Sequence, residues 1–80
     1  MSTGVMEVIK TMSNFKITLK AARVNAGLTQ KEIAEILNRS ESTIINWENG
    51  KTKISVMDFK RLCSALNVNE SEIFLPYKSS

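Results

Sequence analysis

Residues 29–53, TQKEIAEILNRSESTIINWENGKTK, decide the fold. Two short amphipathic patterns lie in this stretch, TQKEIAEIL and SESTIINWENG, and each opens on a residue whose hydroxyl can cap a helix N-terminus. Only Asn38-Arg39 separates them, so the stretch reads as helix, tight turn, helix. On a helix the first pattern places Ile33, Ala34, Ile36 and Leu37 on one arc and Lys31, Glu32 and Glu35 on the other. The second sends Ile44 and Trp47 inward, with Thr43 and Glu48 at the margins and Glu41, Ser42, Ile45, Asn46 and Asn49 outward. That outward face is short, polar and rich in hydrogen-bonding groups, which suits it to a DNA major groove and its base edges.

The run LTQKEIAEILNRSESTIINWENGKTKIS resembles the lambda-repressor-like helix-turn-helix family, the XRE group of Cro and phage repressors. The likeness runs from Leu28-Thr29-Gln30 to the closing Trp47-Glu48-Asn49-Gly50-Lys51. Between these, Ala34 stands where that family lets two helices cross closely, and Ile33, Leu37, Ile44 and Trp47 stand at its interior positions. With flanking helices the resemblance covers about residues 14 to 75. It implies an all-α, compact five-helix domain that binds double-stranded DNA and docks its second helix-turn-helix element in the major groove. Two positions depart from the family pattern. Asn38 stands where Gly is usual, and Asn is the best non-Gly residue for a left-handed backbone. Arg39 stands where a small apolar residue or Thr is common; its stem can cover the core while its guanidinium reaches solvent or phosphate.

Eighty residues allow one small domain, and 42% apolar with 24% charged residues is globular composition. A chain this short has a small core that must pack efficiently or gain from a partner. Eleven Lys and Arg against eight Asp and Glu give a net charge of +3, a mild basic bias that suits nucleic acid without establishing it. Cys63 is the single cysteine and histidine is absent, so neither an internal disulfide nor a Cys/His zinc site is expected. No apolar run approaches the roughly 20 residues of a membrane span, and no signal-peptide pattern opens the chain. The expectation is a soluble cytoplasmic protein, nucleoid-associated and bacterial or phage-encoded.

Residues 1–13 read as an N-terminal extension in which Val5, Val8, Ile9 and Met12 form one helical stripe. It is either an arm or short helix covering the domain's own core, or a second surface that pairs with another copy or tracks along DNA. Residues 14–26 predict the first helix of a domain spanning 14–75, capped by Ser13 or Asn14 and ended by Gly27. Its core stripe is Phe15, Leu19, Ala22 and Ala26, and Ile17, Ala21 and Val24 form a second stripe. Thr29 and Glu32 predict a capping box on the next helix. Residues 55–66 predict the fourth helix, with Ser55 and Asp58 in capping-box spacing and Val56, Phe59, Leu62, Cys63 and Leu66 on one face; Cys63 is then a small core residue. Residues 69–74 predict a fifth, short helix that returns Ile73, Phe74 and Leu75 to the core, and residues 76–80 a frayed tail after Pro76.

The candidate site follows from residue chemistry and from the resemblance. At the first turn of a helix, exposed N–H groups and the dipole favour an anion, so Gln30 and Lys31 are candidates for phosphate, a role the resemblance supports for Gln30. Lys51, Thr52 and Lys53 form a basic turn beside the recognition helix, placed with Asn49 and Thr43 to hold the sugar-phosphate backbone. Asn46 has the shape for a bidentate contact to adenine, Ser42 can donate or accept, and Ile45 can meet a thymine methyl. Glu41 either accepts from cytosine N4 or simply favours the helix dipole. The resemblance also implies an ion pair between Arg23 and Glu48, against two separately solvated charges.

Catalysis lacks its parts, with no histidine, no metal cluster, no phosphate-binding glycine loop and no cysteine partnered by a base. No cofactor, small-molecule substrate or membrane partner is expected. The expected function is a transcriptional regulator of the phage or prophage repressor type, acting as a homodimer on a pseudo-palindromic operator. Two alternatives are a DNA-binding antitoxin with a toxin as protein partner, and a protein-interaction module that keeps the fold without binding DNA.

Overall fold

A computed structural model of the chain describes residues 16–76. Its elements, in order, are β1 (Ile17–Thr18), α1 (Leu19–Asn25), α2 (Gln30–Leu37), α3 (Glu41–Glu48), α4 (Val56–Leu66), a 3-10 turn over Glu70–Glu72, and β2 (Ile73–Phe74). The all-α class holds, but among the described residues the five expected helices reduce to four α-helices and a 3-10 turn. Sequence elements placed on residues 1–15 and 77–80, among them Phe15, the Val5-to-Met12 stripe and the Ser13 or Asn14 cap, lie outside the described residues.

The first helix begins later than its apolar pattern suggests. Ile17 and Thr18 pair in parallel with Ile73 and Phe74, so the backbone there is extended. The helix starts at Leu19, and the Thr18 hydroxyl accepts from the Ala21 N–H at 3.0 Å. Gly27 adopts φ +76°, and Leu28 N–H reaches back to Arg23 C=O at 3.2 Å, closing the helix end. Ala26, placed in the core by its spacing, is exposed because it lies in this terminating turn.

α2 has its full capping box. The Glu32 N–H donates to the Thr29 hydroxyl at 3.0 Å, and the Glu32 carboxylate accepts from the Thr29 N–H at 2.8 Å. Asn38 ends α2 at φ 57°, the left-handed conformation its side chain tolerates. Arg39 N–H then donates to Ala34 C=O at 2.8 Å, so the chain reverses within two residues.

The core sits where the helices meet. Leu19 and Ala22 of α1, Ile33, Ala34 and Leu37 of α2, Ile44 and Trp47 of α3 and Leu62, Cys63 and Leu66 of α4 are buried together with Ile54 and Ile73. Ile33, Leu37 and Ile44 are the largest fully enclosed side chains. Besides Ala26, three apolar residues expected inside, Ile36, Val56 and Phe74, lie outside. Ile36 is 52% exposed at the edge of an open groove between α2 and α4, and Val56, in the first turn of α4, is 71% exposed. Phe74 is exposed because strand alternation sends its neighbour Ile73 inward, and Val24 stays exposed on α1.

In α4 the buried polar residue is Asp58. Its N–H donates to the Ser55 hydroxyl at 3.1 Å, but its carboxylate is turned to Arg39 Nη2, at 3.0 and 3.1 Å, instead of completing a reciprocal box. Arg61 joins the pair at 3.7 Å and donates to Leu37 C=O at 3.1 Å, satisfying a carbonyl at the end of α2. The Arg39 guanidinium, expected in solvent or on phosphate, is thus engaged by Asp58. At the chain's far end, the Glu72 carboxylate accepts from the Asn69 N–H at 3.0 Å, the contact its spacing suggested, although a single 3-10 turn rather than a helix follows.

Candidate nucleic-acid interface

α3 is seated by two side chains. Ile44 and Trp47 are buried, one turn apart on the inward face, and the other positions are polar apart from Ile45. Ser40 caps the helix, its hydroxyl accepting from the Thr43 N–H at 3.2 Å. The same oxygen lies 2.8 Å from the Thr43 hydroxyl and 3.2 Å from that of Ser42. These three hydroxyls form a local cluster at the start of α3. Ser42 and Thr43 therefore begin with a hydrogen-bonding partner inside the protein.

Of the four expected base readers, Glu41 and Ser42 are exposed, while Ile45 and Asn46 are half-buried. The outward face is consequently narrower than a helical wheel suggests, since the body of the domain rises along the second turn of α3. Glu41 borders an open cleft of about 430 Å³ together with Thr29 and Gln30, so the first residues of α2 and α3 share one concavity.

Of the expected phosphate contacts, Lys31, Asn49, Lys51, Thr52 and Lys53 are exposed. The basic turn is tied to the helix it follows. Lys51 N–H donates to Asn46 C=O at 2.9 Å, and Gly50, at φ +74°, makes that reversal. Gln30 is half-buried, with its amide nitrogen donating to Glu48 Oε1 at 3.0 Å.

The Arg23–Glu48 ion pair is present. Arg23 Nε donates to Glu48 Oε2 at 2.6 Å and Nη2 to Oε1 at 3.2 Å, the planar guanidinium meeting both carboxylate oxygens. Nη1 donates to Leu28 C=O at 2.9 Å. One guanidinium thus links the end of α1, the loop into α2 and the last residue of α3. Sequence spacing gave no sign of the Gln30–Glu48 contact or of the Arg39–Asp58 pair, because each joins positions that only the tertiary fold brings together.

Cys63 lies in the core. Burial, followed by the charges of Glu70 and Glu72, pushes its thiol up from 9.0 to about 11, so the thiolate is suppressed at neutral pH. Among the described residues no group of His, Cys, Asp or Glu could hold a metal ion, and no helix is long and apolar enough to cross a membrane.

A helix capped by Ser40, seated by Ile44 and Trp47 and set across a second helix by the left-handed Asn38, defines a helix-turn-helix DNA-binding domain. Residues 19–73 match the helix-turn-helix family of the XRE and lambda-repressor-like type, and the chain belongs to that family. No curated protein matches it. Family membership makes the protein a double-stranded-DNA-binding domain of the kind found in transcription regulators.

Proposed function

We propose that the protein is a sequence-specific regulator of the phage or prophage repressor type, which binds a pseudo-palindromic operator as a homodimer. The observation that carries this reading is the surface of α3: only Ile44 and Trp47 are buried, and Glu41 and Ser42 at its start are exposed. In this reading Glu41, Ser42, Ile45 and Asn46 meet base edges, with Asn46 positioned by the turn that also fixes Lys51. Lys31, Thr43, Asn49, Lys51, Thr52 and Lys53 hold the backbone, and Gln30 adds a neutral donor. Two-fold symmetry then places the half-sites about one helical turn apart.

Selection of bound duplexes from a random library tests binding, symmetry and spacing together. A pseudo-palindrome is the expected product, and recovery of no preferred sequence would overturn the reading. Asn46→Ala should relax preference at one base position, at about 1 to 3 kcal/mol per lost bidentate contact. Lys51→Ala should weaken selected and random duplexes alike.

A further inference from the structure

We infer that Glu48 is a positioning residue for DNA binding, anchoring the amide nitrogen of Gln30 and so fixing which end of that amide α2 turns toward the duplex; this rests on the function proposed above.

Glu48 is the last residue of α3, and its side chain is only 5% exposed. Among the described residues Arg23 supplies the opposite charge, through two N–H groups. Gln30 adds a third donor at 3.0 Å, on the oxygen that Arg23 Nη2 also reaches. A carboxylate is acceptor-only, so the amide can face it only with nitrogen, never with its carbonyl oxygen. The orientation of Gln30 is thereby settled by charge.

The consequence lies at the other end of the amide. One of its two N–H groups is spent on Glu48, leaving the second N–H and the carbonyl oxygen of a half-buried side chain beside the cleft that Glu41 also borders. Because the side chain is ordered in the folded protein, its rotamer entropy is lost on folding rather than on binding. A phosphate oxygen arriving at the first turn of α2 meets a donor already in place. The same carboxylate ties the far end of the base-reading helix to Arg23 of α1, so the backbone contact and the seat of α3 share one anchor.

The test is a double-substitution cycle in the full chain, using Gln30→Ala, Glu48→Gln and both together, against the selected duplex and a random duplex of equal length. Circular dichroism melting confirms that each variant is folded at the assay temperature. Gln30→Ala should weaken both duplexes by the same factor, about fivefold for one hydrogen bond, and should leave the salt slope unchanged because Gln is neutral. In the Glu48→Gln background, where an amide replaces the acceptor-only group, the Gln30→Ala penalty should shrink below about twofold. A purely structural Glu48 would lower the melting temperature while leaving the Gln30→Ala penalty at full size, and that result overturns the inference.

A DNA-free measurement separates this inference from the reading it rests on. The side-chain NH₂ resonances of Gln30 should move in Glu48→Gln and stay in place in the control Glu32→Gln. Unmoved resonances refute the anchor whatever the protein binds. Wild-type protein that shows no salt-dependent duplex binding refutes both the DNA reading and the positioning role, even where the resonances move.

Discussion

Gly50 and Gly27 have nearly the same backbone angle and should respond differently to the same change. Both sit at positive φ, +74° and +76°, so Ala at either position is strained by about 1 kcal/mol. At Gly27 an added Cβ meets nothing within 4 Å, but at Gly50 it meets the Pro76 ring at 3.0 and 3.1 Å. Gly50→Ala should therefore cost more than Gly27→Ala, by about 1 kcal/mol or more in denaturant titrations, as the ring is displaced. Equal costs would show that Pro76 gives way freely. Cys63 gives a pH prediction. Its folded thiol titrates near 11 against 9.0 when unfolded, so between these values the folded state holds more protons than the unfolded one. The contribution to stability is constant below pH 9 and falls as pH rises through that window. Native protein should resist alkylation at pH 8 and react once denaturant unfolds it; brisk native reaction would place the thiol at the surface. Cys63 was legible from spacing alone, since one cysteine on an apolar helical stripe has few other roles. The half-burial of Ile45 and Asn46 was not, because a helical wheel records direction and omits the height of the surrounding structure.

At the level of elements, caps were readable from spacing, while side-chain partners were not, apart from Arg23–Glu48, which the family resemblance implied. Thr29 with Glu32, Ser40 with Thr43, and Ser55 with Asp58 are separated by three residues, so their hydrogen bonds follow from local chemistry. The extended pairs Ile17–Thr18 and Ile73–Phe74 are too short to show a period of two, and of the helical stripe Ile17, Ala21 and Val24 only Ile17 pairs as strand while the other two lie in α1. Asp58 marks the same limit. Its place in a capping sequence was evident, but its carboxylate serves Arg39 and Arg61, which hold the turn between α2 and α3 against α4. Asp58→Ala should destabilise the protein by about 2 to 4 kcal/mol, because it removes a largely buried carboxylate that accepts from Arg39 and pairs at longer range with Arg61. It should also release Arg39 beside α3, raising affinity for random duplex relative to the selected one. Unchanged discrimination would show that Arg39 stays away from the duplex when freed.

For the molecule as a whole, charge placement matters more than the net +3. Lys31, Lys51 and Lys53 are exposed on the segments immediately before and after α3. Three such contacts in each of two protomers would make six, so affinity should fall by about a thousandfold between 50 and 200 mM salt. A slope near half that value points to one protomer per site, and measuring it alongside sedimentation on DNA separates the two cases. The family and its fold were legible because many positions of residues 28–55 fall at fixed spacings. The exposure of Glu41, Ser42 and the Lys51–Lys53 turn was legible, and the ties of Gln30 to Glu48 and of Ser42 to Ser40 were not.

The pairing of Ile17 with Ile73 joins the first described strand to the last. During synthesis on the ribosome, the reading helix and its scaffold emerge before the segment that closes the seam. A chain that stops short of residue 73 would carry the whole recognition surface on a frame open along one side, with the space taken by Ile73 left to water. Such fragments should be cut by proteases well before the finished chain is, so that only completely translated copies persist to compete for DNA.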